Sequence, residues 1–327
     1  MNETALFSDL LHKCGLGSLT APPRRVHGGY MHRMYRLDTA SGAYAVKLMN
    51  PVIMDRQDAL ENYRRAERLE RLLEENHIPI VGAMEINSSK LQRVGEQYMY
   101  VFPWIDGSVM GLDRITEYHC RAAGGVLARI HKILRREERY AVAEISIDWK
   151  PYIIKAENHC PALANALKDN LALLVSAQDE YNAAAAALPE VVTITDGDMD
   201  CKNIMWVDER PFIIDLECLD FGNPMMDMFI LALSWAGGAA CDMDYARLKA
   251  FMSAYTREYG FLDADPKKLY GLGFSWLEWL EYNAKRALGI ECADAEEQKL
   301  GYDEALATLK RIVYHDSIRD GLMANIE

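Results

Sequence analysis

Asp198 and Asn203, in the stretch TDGDMDCKNIMW, have the types and spacing best suited to chemistry in this sequence. Asp196, Asp198 and Asp200 crowd into one turn-like segment, where carboxylates repel unless water, a cation or a reaction occupies them. The D-x-x-x-x-N spacing sets a carboxylate where a substrate hydroxyl can donate to it, with an amide oxygen in reach of Mg2+ on the same loop. FIIDLE then ends an apolar strand in Asp215, a carboxylate placed as a hard-cation ligand. Glu217 reads equally as a second ligand or as an orienting residue, and Asp200 and Lys202 read as loop surface. This set suits phosphoryl transfer, which asks mainly for alignment and charge neutralisation.

Two upstream features fit the same chemistry. Lys47, in YAVKLMN, sits among strand residues and can point from a sheet towards phosphates, given a carboxylate partner. The following helix offers Glu67, Glu70 and Glu61. Glu67 is the best placed, four residues after Tyr63 and seven after Leu60, on their face. Gly28 and Gly29 precede a strand in HGGYMHRMYRL and would let backbone N–H groups approach phosphates without a Cβ between. Taken alone, such a pair reads as a plain hairpin turn.

The elements that must position these residues change character along the chain. HRMYRLDTASGAYAVKLMN reads as a hairpin around a Thr-Ala-Ser-Gly turn. QDALENYRRAERLERLLEENHIPI has helical spacing and stops at Asn76 and Pro79. KLQRVGEQYMYVFPWIDG returns to strand chemistry, with a turn at Gly95 and a stop at Pro103. From Asp113 most segments are helical. Ile115, Tyr118, Ala122, Val126 and Ile130 mark one helix face, 156–187 reads as a long helical stretch, and FSWLEWLEYNAKRALG and DEALATLKRIVYHDSI supply two more. VVTIT and PFIIDLE are short strands around the acidic loop. The expectation is an α+β chain: a sheet lobe over 1–103 with one helix, then a mostly helical lobe over 104–327.

Composition narrows the partners. A chain of 327 residues is long enough for two lobes with separate cores, and a net charge of -13 argues against nucleic acid. The seven cysteines are scattered without a C-x-x-C pair, which reads as reduced thiols in a cytoplasmic protein. Cys201 reads as a small residue that fits its loop. The first residues lack a signal-peptide pattern, and no apolar run reaches the ~18 residues of a membrane span. Eight histidines without paired ligand spacing give no reason for zinc, and His131 reads as a helix residue packed against the acidic loop.

The order of glycine turn, strand lysine, helix glutamate, connector, D-x-x-x-x-N and strand aspartate is kinase-like. DGDMDCKNIMW, PFIIDLECLDFGNPMMD and WLEWLEYNAKRALG resemble the aminoglycoside phosphotransferase and choline kinase-like family of small-molecule kinases. The resemblance implies a protein-kinase-like two-lobe fold that uses ATP and Mg2+. It implies Asp198 as the catalytic residue that orients the acceptor hydroxyl and receives its proton, and Asn203 and Asp215 as metal ligands. Lys47 would contact the phosphates and be fixed by Glu67, and FPWIDG would hold adenine through the carbonyl of Pro103 and the N–H of Ile105. One position departs from the pattern: the family's His-Gly-Asp is Asp196-Gly197-Asp198 here. The expected partner is a small molecule, with neither nucleic acid nor membrane. Its recognition falls to WLEWLEYN, where Glu278 and Glu281 share a helix face beside Trp279, a group able to stack on a cation.

Overall fold

The computed structural model describes residues 3–26, 32–292 and 294–326, so Gly28 and Gly29 lie outside the described residues. The chain forms two compact units, 1–110 with 202–220, and 111–201 with 221–327.

The first unit is built on a five-stranded antiparallel sheet. Its strands are β1 (Arg24–Val26), β2 (Arg33–Thr39), β3 (Gly42–Leu48), β4 (Gln92–Val94) and β5 (Gln97–Pro103), in the order β1-β2-β3-β5-β4. Thr39 faces Gly42 across the expected two-residue turn, and Val94 faces Gln97 with Gly95 at positive φ. Alternation along β3 and β5 decides which side chains go where. Val46, Leu48, Met99 and Val101 face helix α1 (Glu3–Cys14), which buries Leu6, Phe7, Leu10 and Leu11 against them. Tyr100 and the intervening Lys47, its cross-strand partner, face the other way. There Tyr63 of α3 (Ala59–Glu75) packs, after the short α2 (Pro51–Met54). The sheet unit therefore carries three helices rather than the one expected. α1 has a buried stripe with the usual helical spacing, Leu6, Phe7, Leu10 and Leu11.

A second, three-stranded sheet completes this unit: β6 (Ser108–Val109), then β8 (Ile204–Val207) paired with β9 (Arg210–Ile213). Asp208 and Glu209, both at positive φ, make the two-residue hairpin loop that matches strand twist. Ile213 exchanges backbone bonds with Pro79 and Val81, at 2.9 and 2.8 Å. Those bonds tie residues 202–220 to the first unit, whereas the sequence reading placed all residues after 103 together.

The second unit is helical apart from β7 (Thr193–Asp196) and the end of β10 (Leu219–Gly222). Its helices are α4 (Glu117–Ile133), α5 (Trp149–His159), α6 (Pro161–Asp169), α7 (Leu171–Ala186), α8 (Pro224–Trp235), α9 (Tyr245–Tyr259), α10 (Trp276–Ala287), α11 (Ala295–Ser317) and α12 (Arg319–Asn325). The stretch 156–187 is three helices, because Pro161 opens a new one at its first turn and Asn170 separates the next. On α4 the expected Val126 and Ile130 are buried, with Ile115 just before the helix, while Tyr118 is exposed; the buried face is wider than expected and also takes in Cys120, Ala123, Leu127 and His131. Gly124 lies on this wider face: a Cβ there would lie 2.3 Å from the carbonyl oxygen of Phe251 on α9, so glycine permits the close crossing.

Candidate active site

The β8–β9 hairpin brings two predicted residues together. Asn203 precedes β8 and Asp215 follows β9; the N–H of Ile214 donates to the carbonyl oxygen of Asn203 at 2.9 Å. Asn203 is buried, while the side chain of Asp215 is 38% exposed. Asp215 sits at φ 62, a left-handed conformation that aspartate tolerates better than most residues.

Lys47 meets this hairpin end. Its Nζ donates to Asp215 Oδ1 at 2.6 Å and to Glu217 Oε1 at 2.7 Å. Burial works against charge on Lys47, but the Glu217 and Asp215 carboxylates outweigh it and raise the ammonium above its ordinary value. Burial likewise pushes the Glu217 carboxyl up, and a hydrogen bond from His32 together with the Lys47 charge overcomes that and brings it down to about 2. His32 Nε2 lies 3.3 Å from Glu217 Oε2 and 3.0 Å from the hydroxyl of Tyr63. The other ring nitrogen of His32 accepts from the N–H of Asn50 at 3.0 Å.

Glu67 is not the partner of Lys47 in this structure. Its Oε1 accepts from the Tyr100 hydroxyl at 2.9 Å and from the N–H of Leu91 at 3.2 Å. The helix-face reading placed Glu67 correctly towards the sheet, but the sheet register sets Tyr100 opposite Lys47 and gives the glutamate to the tyrosine. Glu70 is likewise taken, by Lys90 Nζ at 2.8 Å and the N–H of Ala83 at 2.6 Å. A cavity of about 20 Å³, room for a single water, is lined by Lys47, Glu67, Tyr100 and Glu217. Pro103 ends β5 opposite Tyr44, the next N–H donates to Ala43, and Ile105 follows in irregular backbone.

In the second unit, Asp198 lies half-buried in the turn after β7. The turn is held from below. The Asp196 N–H donates to Asp227 Oδ2 at 3.1 Å, and the same oxygen lies 3.2 Å from His131 Nε2. His131 Nδ1 meets the Tyr255 hydroxyl at 2.8 Å, and Thr193 donates to the His131 carbonyl oxygen. The Trp235 indole donates to the Met199 carbonyl oxygen at 2.9 Å, and Ser234 donates to Asp200 Oδ1 at 3.1 Å. Asp200 is therefore a brace of the turn rather than loop surface, and His131 is packed beneath the loop as expected. On α10, Trp279 and Tyr282 stack at 5.2 Å and stay largely exposed beside Glu278. Glu281 is engaged elsewhere, by the Tyr152 hydroxyl at 2.5 Å and Lys285 at 3.3 Å.

Sequence reasoning missed His32, Asp227, Ser234 and Trp235. The signals were present for two of them. His32 is two residues before Met34, which pairs with Lys47, so period-two counting puts it on the lysine's side of the sheet. Asp227 is the lone carboxylate in the apolar helix PMMDMFILALSW, a placement that calls for a buried partner.

The description "Phosphotransferase enzyme family" attaches to a family model that matches residues 23–264. The chain belongs to this family. It is thus a phosphotransferase, and its fold is that of kinase-like relatives. A solved spectinomycin phosphotransferase, APH(9)-Ia, in complex with ADP and spectinomycin, is similar at 15% identity and a TM-score of 0.68, over 95% of this chain and 97% of that one. The amicoumacin kinase hAmiN, in complex with AMP-PNP, Ca2+ and Ami, is similar at 14% identity and a TM-score of 0.59, over 95% of this chain and 96% of that one. An ethanolamine kinase of Plasmodium vivax is similar at 16% identity and a TM-score of 0.56, over 88% and 80%. No curated protein is a significant match to the sequence. No helix among the described residues is long and apolar enough to cross a membrane.

Proposed function

We propose that this phosphotransferase moves the γ-phosphoryl group of ATP to a hydroxyl of a small cationic molecule, of the aminoglycoside, amino-alcohol or amino-sugar class. The observation that carries the reading is the meeting of Lys47 with Asp215. A buried sheet lysine and a carboxylate at a hairpin end, 168 positions apart, converge at 2.6 Å. That pairing supports reading Lys47 as a phosphate-contacting cation and Asp215 as a metal-ligating anion, the two charges that a nucleoside triphosphate requires.

The donor set suits Mg2+. Asp215 and Asn203 offer hard oxygens at one hairpin end, and among the described residues no three His, Cys, Asp or Glu side chains form a cage of their own. An ion that keeps several ligand positions for phosphate and water fits such a set. When bound, Mg2+ supplies charge neutralisation at the phosphates. Asp198 accepts a hydrogen bond from the acceptor hydroxyl and takes its proton as the new O–P bond forms. The bond between the γ-phosphorus and its bridging oxygen breaks, and ADP leaves. Lys47 holds the phosphates in line, and the backbone at Pro103 and Ile105 holds adenine. The exposed Trp279–Tyr282 stack beside Glu278, together with the net charge of -13, supports a cationic acceptor.

A nucleotide-binding protein without turnover is the second reading, favoured by the buried Asp196 at the family's histidine position. Magnesium-dependent ATP consumption across amino alcohols, amino sugars and aminoglycosides, with Asp198→Ala alongside, separates the two. Turnover on one acceptor, lost in the variant, supports the kinase. ATP binding with no turnover on any acceptor supports the second reading.

A further inference from the structure

We infer that Glu217, backed by His32, is the residue that positions Lys47, and that Glu67 instead anchors α3 to the sheet. The inference rests on the reading of Lys47 as the phosphate-contacting lysine.

The bonding of each carboxylate makes the division. Lys47 has two ion partners, Asp215 and Glu217, at 2.6 and 2.7 Å. Asp215 is the one assigned to the metal, which leaves Glu217 as the carboxylate dedicated to the lysine. Glu217 is also the better held of the two: its side chain is 24% exposed against 38%, and its second oxygen faces His32. His32 is itself fixed on two further sides. Because its Nδ1 accepts from the N–H of Asn50, the neutral ring carries its proton on Nε2, the atom that faces Glu217 and Tyr63. Tyr63 belongs to α3 and Asn50 caps α2. The lysine is thus braced by a carboxylate–imidazole pair anchored in both helices on its side of the sheet.

Glu67 lines the same small cavity but spends its bonds on β5 and on the approach to β4, through Tyr100 and Leu91. The Tyr100 hydroxyl, deeply buried beside Glu67, is held protonated by burial and by that carboxylate, so it remains a donor at all ordinary pH. Removing Glu67 strands a buried donor, which is a stability defect. Removing Glu217 leaves a buried lysine with its one remaining partner on the metal-ligating aspartate, which is a positioning defect.

The test is calorimetric ATP binding without acceptor, with Mg2+ and again in EDTA, on wild type and on Lys47→Ala, Glu217→Gln, Glu217→Asp, Glu67→Gln and His32→Leu. Lys47→Ala comes first: affinity within twofold of wild type overturns the phosphate-lysine reading itself. If Lys47→Ala loses about tenfold or more, Glu217→Gln is expected to lose at least threefold more affinity than Glu67→Gln, in EDTA as well as in Mg2+. Glu217→Asp, which keeps the charge, is expected to recover part of the loss, and His32→Leu to show a smaller one. Glu67→Gln is expected to lower the melting temperature more than Glu217→Gln does. A loss in Glu217→Gln seen only with Mg2+ makes Glu217 a metal ligand and overturns the inference. So does an equal or larger affinity loss in Glu67→Gln.

Discussion

Each unit of this molecule contains a histidine set against a carboxylate, at nearly the same separation: His32 with Glu217 at 3.3 Å, and His131 with Asp227 at 3.2 Å. The two pairs do different things because their surroundings differ. Glu217 gives its other oxygen to a lysine and keeps part of its own side chain in solvent, so the pair ends on a buried ammonium. His131 and Asp227 are sealed in the core, and their bonds end on a tyrosine hydroxyl and a backbone N–H of the loop that carries Asp198. The same two side-chain types therefore meet a cation in one unit and a loop in the other. What decides is which third group each pair meets.

Breaking the loop-holding side should have the largest consequences. Asp198→Ala removes the proposed proton acceptor from a half-buried turn, and transfer should fall about 10²- to 10⁴-fold with little change in the unfolding midpoint. Coupled ADP release beside a denaturant titration checks both halves. Asp227→Ala leaves the buried His131 and the Asp196 N–H without their common acceptor, and should cost about 3 kcal/mol of stability as well as turnover. A urea titration that shows a cost under about 1 kcal/mol would mean the pair is not what holds the loop.

A third histidine sharpens the contrast. His315 is buried against Tyr270 and Gly273 and, among the described residues, has no carboxylate on its ring; burial pushes its pKa from 6.5 down to about 4. Its folded pKa lies below its unfolded one, so its contribution is intact above pH 6.5. It is lost as pH falls from there through about 4. The loss should approach roughly 3 kcal/mol, and His315→Gln should flatten the slope of stability against pH in that window. The smallest effect belongs to Trp279→Ala on α10. The ring is 41% exposed, so stability should change by under about 0.5 kcal/mol. KM for a cationic acceptor should rise severalfold, by the ~0.5–1 kcal/mol of an exposed cation–π contact. An unchanged KM for every cationic acceptor would remove α10 from the substrate site.

How legible these regions were in the sequence follows the range of the contacts. The placement of Lys47 could be read because a period-two strand fixes it; the sequence offered VVTIT as the strand partner of PFIIDLE, whereas IMWV forms the hairpin that brings Asn203 and Asp215 together. The partner of Lys47 could not be read. Periodicity shows that Glu67 faces the sheet, but only the β3–β5 register shows that Tyr100 stands opposite Lys47 and takes that glutamate. The buried hub under the Asp198 turn joins α4, β7, α8 and α9 across 96 to 124 positions, beyond any local pattern. The break in 156–187 was readable after all: Pro161 belongs at a helix start, and the alanine-rich composition around it masked the signal.

Residues 202–220 fold with the first 110 and not with their sequence neighbours. During synthesis, 168 and 170 positions separate the ammonium of Lys47 from its two carboxylates, so the sheet emerges from the ribosome before its counter-charges exist. At ~5–20 residues per second the delay is of the order of ten seconds or more. A fragment ending at Met110 would keep all five strands of the main sheet and still lack every anion that pairs with Lys47. The first unit is thus an assembly of two separated chain segments, and any truncation, split reporter or domain swap that divides them separates that charge from its partners.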